Sequence, residues 1–200
     1  MSIEGAIVKG EGNIYLEPKT GGRVVIRDTD GTERLTFAAS SVTAAVPRGV
    51  NTWQAATATT GTDSACTNGT AYVGSIHLPM DATITGIQYL VGSVGGTDKV
   101  VASLHGVNGV PVANSAVGGA TVGTAAQVQQ VAFTAPYLAR AGFGFIALTF
   151  NGATAKFRTL AAHTQTGVVG NGVTQTFGTV AAFTAPVTFT ADKIPCASLY

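Results

Sequence analysis

Three histidines, two cysteines and a thin scatter of carboxylates are most of what this chain offers for chemistry. His77, His105 and His163 stand far apart, and none has a carboxylate at metal-ligand spacing, so they read as ordinary strand residues. Ser40, Ser41, Ser64, Ser75 and Ser103 lie in no Gly-x-Ser-x-Gly elbow, the exposed turn that a hydrolase serine needs. Asp63, Asp81, Asp98 and Asp192 are the acidic residues of the later chain, all at turn-like positions. Sequence names no acid–base pair among them, although folding could bring two together. Asp28-Thr29-Asp30-Gly31 opens like a calcium loop, but Ala39 stands where the closing Glu is required, so a tight turn is expected. Gly92-Ser93-Val94-Gly95-Gly96 and Gly118-Gly119 lack the Lys-Ser/Thr and the helix of a phosphate cradle. The reading therefore assigns no catalytic, cofactor-binding or metal-ligating residue and expects a non-enzymatic chain.

Cys66 and Cys196 leave two readings open: two buried thiols, or a disulfide joining the start of the main domain to the C-terminal tail. Net charge is +1 with a pI near 7.8, which supplies no basic stripe for nucleic acid. The N-terminus carries early acidic residues and no apolar core of seven or more, and no later run approaches about 18 apolar residues, so neither a standard export signal nor a membrane span is expected. Only 10% of residues are charged against 46% hydrophobic. Such a neutral, hydroxyl-rich surface suits a protein whose outer face is covered by copies of itself.

The elements that would position any site are strands. No helical period competes anywhere from Ala71 onward. Thr97–Ser115 is the clearest unit: Val100, Ala102 and Leu104 alternate with Val101, Ser103 and His105, Gly106-Val107-Asn108-Gly109 turns, and Val110–Ala113 returns. Further strands are expected at Tyr72–Leu78, Thr83–Leu90, Gln127–Phe133, Phe143–Phe150, Lys156–Leu160, Thr174–Phe177 and Val187–Thr190, with turn signals near sandwich spacing. In Thr83–Leu90, Ile84, Gly86, Gln88 and Leu90 share one expected face, and Thr85, Ile87 and Tyr89 the other. The pentapeptide AFTAP occurs at Ala132–Pro136 and again at Ala182–Pro186, a hint of two equivalent edge strands closed by Pro.

Charge marks a boundary. Eleven of the 21 charged residues lie within residues 1–34. Three short strands recur there, Asn13–Leu16, Arg23–Ile26 and Glu33–Phe37, separated by turn residues. So small a meander is marginal alone and needs neighbours. The expected architecture is all-β: an N-terminal, trimerising β-meander at 1–37, a linker or extended arm at 38–70, and a jelly-roll-like antiparallel β-sandwich at 71–200. Ile14, Tyr15, Leu16, Arg23, Val25, Arg27, Arg34, Leu35 and Phe37 are the candidate interface residues. Trp53, the only tryptophan, joins them as an anchor, with a lid on the main core as the plainer alternative.

Two stretches carry a family resemblance. NIYLEPKTGGRVVIRDTDGTERLTF, Asn13–Phe37, resembles short repeats near the start of tailed-bacteriophage fibre and decoration proteins. Ile76–Ile87, Thr97–Leu104 and Phe150–Arg158 resemble segments of phage β-sandwich modules. The resemblance implies a virion structural protein: a homotrimer whose N-terminal part attaches to the particle while the sandwich projects outward. The short length and lack of a coiled coil favour a head decoration, cement or head-fibre protein whose partners are its own copies and the major capsid protein. A tail-fibre module that reads host surface glycan through Tyr89, Tyr137 or Phe157 is the alternative. The implied location is the virion, assembled in the host cytoplasm, with no cofactor, no nucleic acid and no membrane as partner.

Overall fold

Runs of β-branched and aromatic residues punctuated by Gly, Pro and Asp dictate strands, and every regular element described is one. The computed structural model describes residues 23–27, 33–38, 60–96, 98–160 and 168–200. The chain divides into two units, Met1–Thr43 and Ala44–Tyr200.

In the first unit, β1 (Arg23–Arg27) and β2 (Glu33–Ala38) pair antiparallel, with a register shift at Ile26/Arg27. The expected third strand, Asn13–Leu16, lies outside the described residues.

The second unit runs through β3 (Thr60–Ala65), β4 (Thr70–Leu78), β5 (Ala82–Leu90), β6 (Lys99–Gly106), β7 (Pro111–Asn114), β8 (Ala120–Thr121), β9 (Val128–Ala139), β10 (Gly142–Phe150), β11 (Lys156–Leu160), β12 (Gly170–Thr174) and β13 (Ala197–Leu199). One sheet has the order β12-β4-β10-β6-β7, with β8 beside β6. The other has the order β13-β5-β9. The β11-β3 pair continues it through bridges at Val91–Phe157 and Thr159–Pro195. All strand pairings are antiparallel.

The chain switches sheets twice at one end. β10 leaves the corner with Gly142 opposite Leu78, and β9 enters it with Ala139 opposite Ala82. The four strands β4, β5, β9 and β10 thus form one antiparallel ribbon folded over between the sheets, in the manner of a jelly roll. Asp81 braces the fold of the ribbon. Its Oδ1 accepts from Ala141 N at 2.7 Å and its Oδ2 from Arg140 Nη1 at 2.6 Å.

Between the sheets lies the main core. Tyr72, Ile76, Leu104, Ile146, Leu148 and Phe150 come from the large sheet, and Ile84, Ile87, Tyr89, Val131, Phe157 and Leu199 from the other. Phe150 is its hub, stacked on Phe157 at 5.3 Å and edge-on to Tyr72 at 6.1 Å and Tyr89 at 6.2 Å. A second core covers the outer face of the large sheet, where Ala71, Val73, Phe145 and Ala147 meet Phe183. A third gathers Leu160, Ile194 and Cys196 with Leu90 and Phe189.

The expected hairpin is present. β6 and β7 pair, and Gly109 turns with φ of 76°, a conformation that favours glycine, donating its N–H to Gly106 O at 2.9 Å. Five expectations change. The Thr83–Leu90 alternation breaks: Ala82 and Ile84 face inward, but after Thr85 the inward residues are Ile87 and Tyr89. The cause is a bulge in which Thr85 alone opposes residues 133–136 of β9, and the Tyr200 carbonyl takes up the Thr85 and Gly86 N–H groups at 2.7 and 3.2 Å. The strand expected at Thr174–Phe177 lies instead at Gly170–Thr174. Val187–Thr190 forms no strand, only a single parallel bridge from Phe189 to Gly170. The two AFTAP copies are not equivalent edge strands: Ala132–Pro136 passes through the bulge within β9, while Ala182–Pro186 belongs to the irregular cover of the large sheet. Finally, β3 lies inside the stretch 38–70 expected as a linker; its partner β11 is some 90 residues away, where no local signal reveals it.

Because Phe150 is fully buried and touches three other rings, Phe150→Ala is expected to lower unfolding free energy by about 3–5 kcal/mol. Urea denaturation of the purified chain measures it.

Candidate functional site

The interface residues named from sequence fall mostly in the first unit. Arg23 pairs with Ala38, Val25 with Thr36, Ile26 with Leu35 and Arg27 with Glu33, which leaves Arg34 at the register shift. The same register pairs Val24 with Phe37. Ile14, Tyr15, Leu16 and Trp53 lie outside the described residues.

In the sandwich each carboxylate has a local role. Asp63 on β3 accepts from Ser93 N at 2.8 Å and from the Ser93 hydroxyl, and faces Lys156 at 3.6 Å and Arg158 at 3.9 Å. Burial alone would raise its pKa, but the Ser93 hydrogen bonds and the two cations hold the carboxyl below its usual range. Asp81 is likewise held low, first by the Ala141 amide and then by Arg140. Asp98 Oδ2 accepts from Thr154 N at 2.8 Å and Ala155 N at 2.6 Å. Asp192 accepts from the hydroxyl of Thr62, and from that of Thr159 at 3.4 Å. Among the described residues no group of three or more His, Cys, Asp or Glu is placed to hold a metal, and no helix is long and apolar enough to cross a membrane.

The structure brings together one group that sequence reading passed over. His105 Nδ1 lies 3.0 Å from Gly109 O, which can only accept, so Nδ1 carries the proton and Nε2 accepts from the Ser103 hydroxyl at 2.8 Å. A hydroxyl facing an imidazole whose far nitrogen is anchored is the arrangement of an activated nucleophile. Here it is sealed. Ser103 and His105 are each 1% exposed, and the Phe183 ring lies 4.4 Å from the imidazole. The group ties β6 to its own turn and to the cover over the sheet, since Gly109 O also accepts from Phe183 N at 3.2 Å. Its only sequence signal is Ser-x-His, two residues that share a strand face.

A cavity of about 180 Å³ opens at the folded end of the ribbon. Ile76, Leu78 and Leu104 line one wall and Tyr137 and Ala139 the other, with Gly106, Gly142 and Gly144 also at its lining. That volume is below the roughly 300–1,000 Å³ typical of small-molecule sites. Of the aromatics offered for stacking on sugar, Tyr89 and Phe157 are core residues, and Tyr137 alone lines the cavity.

Cys66 and Cys196 are not joined. Both are buried thiols, Cys66 in the main core and Cys196 in the third cluster, donating to Thr159 O at 3.3 Å. The thiol reading thus replaces the disulfide alternative. Burial, with a smaller contribution from Asp98, pushes the Cys66 pKa up to about 12.

Compared with protein-family models, curated proteins and solved structures, the chain matches none.

Two measurements follow from this geometry. Both thiols are expected to resist Ellman's reagent in the native protein and to react, two per chain, after denaturation. His105 is expected to make stability fall with acid. Desolvation lowers its folded pKa below the ordinary 6.5 despite the Gly109 hydrogen bond, so the unfolded chain takes up the proton first. Stability is then fully present above about pH 6.5 and is lost as pH falls through that value, levelling off below the folded pKa. The carboxylate contributions of Asp63 and Asp81 go only below about pH 4. Denaturant midpoints between pH 7.5 and 5.5 should therefore drop in the parent and drop less in His105→Gln.

Proposed function

We propose that the chain is a non-enzymatic structural protein of a tailed-bacteriophage virion: a homotrimeric decoration or cement protein that binds the outside of the head through contacts with the major capsid protein. The observation that carries this reading is the uneven distribution of charge between the two units. Met1–Thr43 is a small unit that holds eleven of the 21 charged residues, while Ala44–Tyr200 is a sandwich with its own cores and few charges. A two-stranded ribbon is marginal in water by itself. Docking on a lattice and on neighbouring copies would supply burial that so small a ribbon needs. The sandwich needs no such help, and its four carboxylates brace its own connections.

In this role the first unit attaches and the second forms the rigid body displayed on the particle. The resemblance of Asn13–Phe37 to the opening repeats of phage fibre and decoration proteins supports the same assignment.

A chain starting at Ala44 should unfold at the same urea concentration as the full-length protein yet fail to co-sediment with phage heads that lack the protein. Binding retained by the truncated chain would sink this assignment.

A further inference from the structure

Asparagine is followed by glycine four times in the chain, at Asn68, Asn108, Asn151 and Asn171. Because glycine has no Cβ, its amide nitrogen can approach the Cγ of the preceding asparagine unhindered. That approach begins a loss of ammonia that needs only water. The fold treats the four pairs differently.

Asn108 is engaged at both reacting groups. Its Oδ1 accepts from Val110 N at 3.2 Å, and the Gly109 N–H is held by Gly106 O at 2.9 Å. Asn151 Oδ1 accepts from Lys99 N at 2.6 Å. A Cβ on Gly152 would run into the Asp98 carboxylate, so a negative charge stands beside the amide that must give up its proton. Asn171 lies within β12, whose pairing with β4 keeps its backbone extended, and its Oδ1 is buried, out of reach of water.

Asn68 has none of these restraints. It is exposed, in the turn from β3 to β4 that Thr70 N closes on Thr67 O at 3.3 Å. Among the described residues neither its carboxamide nor the Gly69 N–H has a hydrogen-bond partner. Gly69 has a φ of 81°, and no atom lies within 4 Å of where its Cβ would stand.

We propose that Asn68 is a site of self-modification, at which the folded chain converts asparagine to aspartate and isoaspartate while its other three Asn-Gly pairs are protected. The Gly69 amide gives its proton to hydroxide and its nitrogen bonds to Asn68 Cγ. The Cγ–Nδ2 bond then breaks, and ammonia leaves with a proton taken from water. Water opens the resulting cyclic imide at either carbonyl. One water is consumed and one ammonia released, with nothing oxidised or reduced. The new carboxylate cancels the formal net charge of +1. Opening to isoaspartate also lengthens by one backbone atom the turn that joins β3 to β4, strands of different sheets.

The reaction needs only the folded second unit and no partner, so its outcome leaves the proposed role untouched. Incubation of the full-length chain in mildly alkaline heavy-oxygen water, followed by peptide mapping in a mass spectrometer, tests it. The Asn68 peptide should take up heavy oxygen about fivefold or more faster than each of the other three, which must first give up a hydrogen bond or strand pairing. In the urea-unfolded chain all four should convert at similar rates. Asn68→Gln, whose longer side chain would have to close a larger ring, should silence that peptide alone. The proposal is overturned if Asn108, Asn151 or Asn171 converts as fast as Asn68 in the folded chain, or if Asn68 stays unchanged there while the unfolded chain converts. It is equally overturned if the unfolded chain keeps the same order of rates, since flanking sequence and not the fold would then set it.

Discussion

Between Leu78 and Ala82 on one side, and Ala139 and Gly142 on the other, the chain turns from one sheet to the next while its pairing resumes in nearly the same register. The rest of the sandwich depends on that shared bend. It fixes which residues of β4 and β10 face β5 and β9, and so places Ile76, Ile146 and Ile84 in one core. Ladder hydrogen bonds are interrupted at a bend, and the freed N–H groups need acceptors. Asp81 supplies one at the tightest point, taking the Ala141 amide and neutralising Arg140 with the same carboxylate. The bulge opposite Thr85 follows from this geometry. The ribbon has changed direction, four residues of β9 are accommodated against one of β5, and the Tyr200 carbonyl closes the opening.

Covering the large sheet on both faces explains why its strands read as they do. TAYVGSIHL and GFGFIALTF are nearly continuous apolar runs because Val73 and Phe145 are as buried as Ile76 and Ile146, though on opposite faces. Ser103 and His105, like Ser75 and Thr149, are buried polar residues on the covered side, and a buried polar pair is tolerable only when satisfied. The turn at Gly109 does this, as its carbonyl holds both the imidazole and the Phe183 amide. One glycine thus locks a strand, a hairpin and a cover segment together.

That history decides what could be read from sequence. β4, β6, β10 and β11 lie within two residues of their expected bounds, because period-two patterning and Gly, Pro or Asp stops are local properties. β3 is a Thr, Gly and Ser run whose strand character comes from pairing with β11, and β13 is three residues held by β5. Neither has a local signature. The face change within β5 depends on Tyr200, 114 residues beyond Gly86, and on a bulge that alternation cannot anticipate. Of the candidate site, the charged hairpin of β1 and β2 was legible as strands, and its register adds the shift that leaves Arg34 unmatched between Ile26 and Arg27. The Ser103–His105 group was not legible as a unit, since its meaning comes from Gly109 and Phe183.

Charge is the scarce resource in the second unit, and its placement follows a rule. Asp63, Asp81 and Asp98 each accept a backbone N–H from a connection between strands, where water would otherwise have to serve. Lys156, Arg158 and Arg140 accompany two of them. With its acids placed at connections, the sandwich has neutral strands in its smaller sheet and little field to steer a partner. Contacts made there would draw on apolar area and hydrogen-bond matching, which salt hardly weakens. Contacts made by the charge-dense first unit would be screened within about 10 Å at 0.1 M salt.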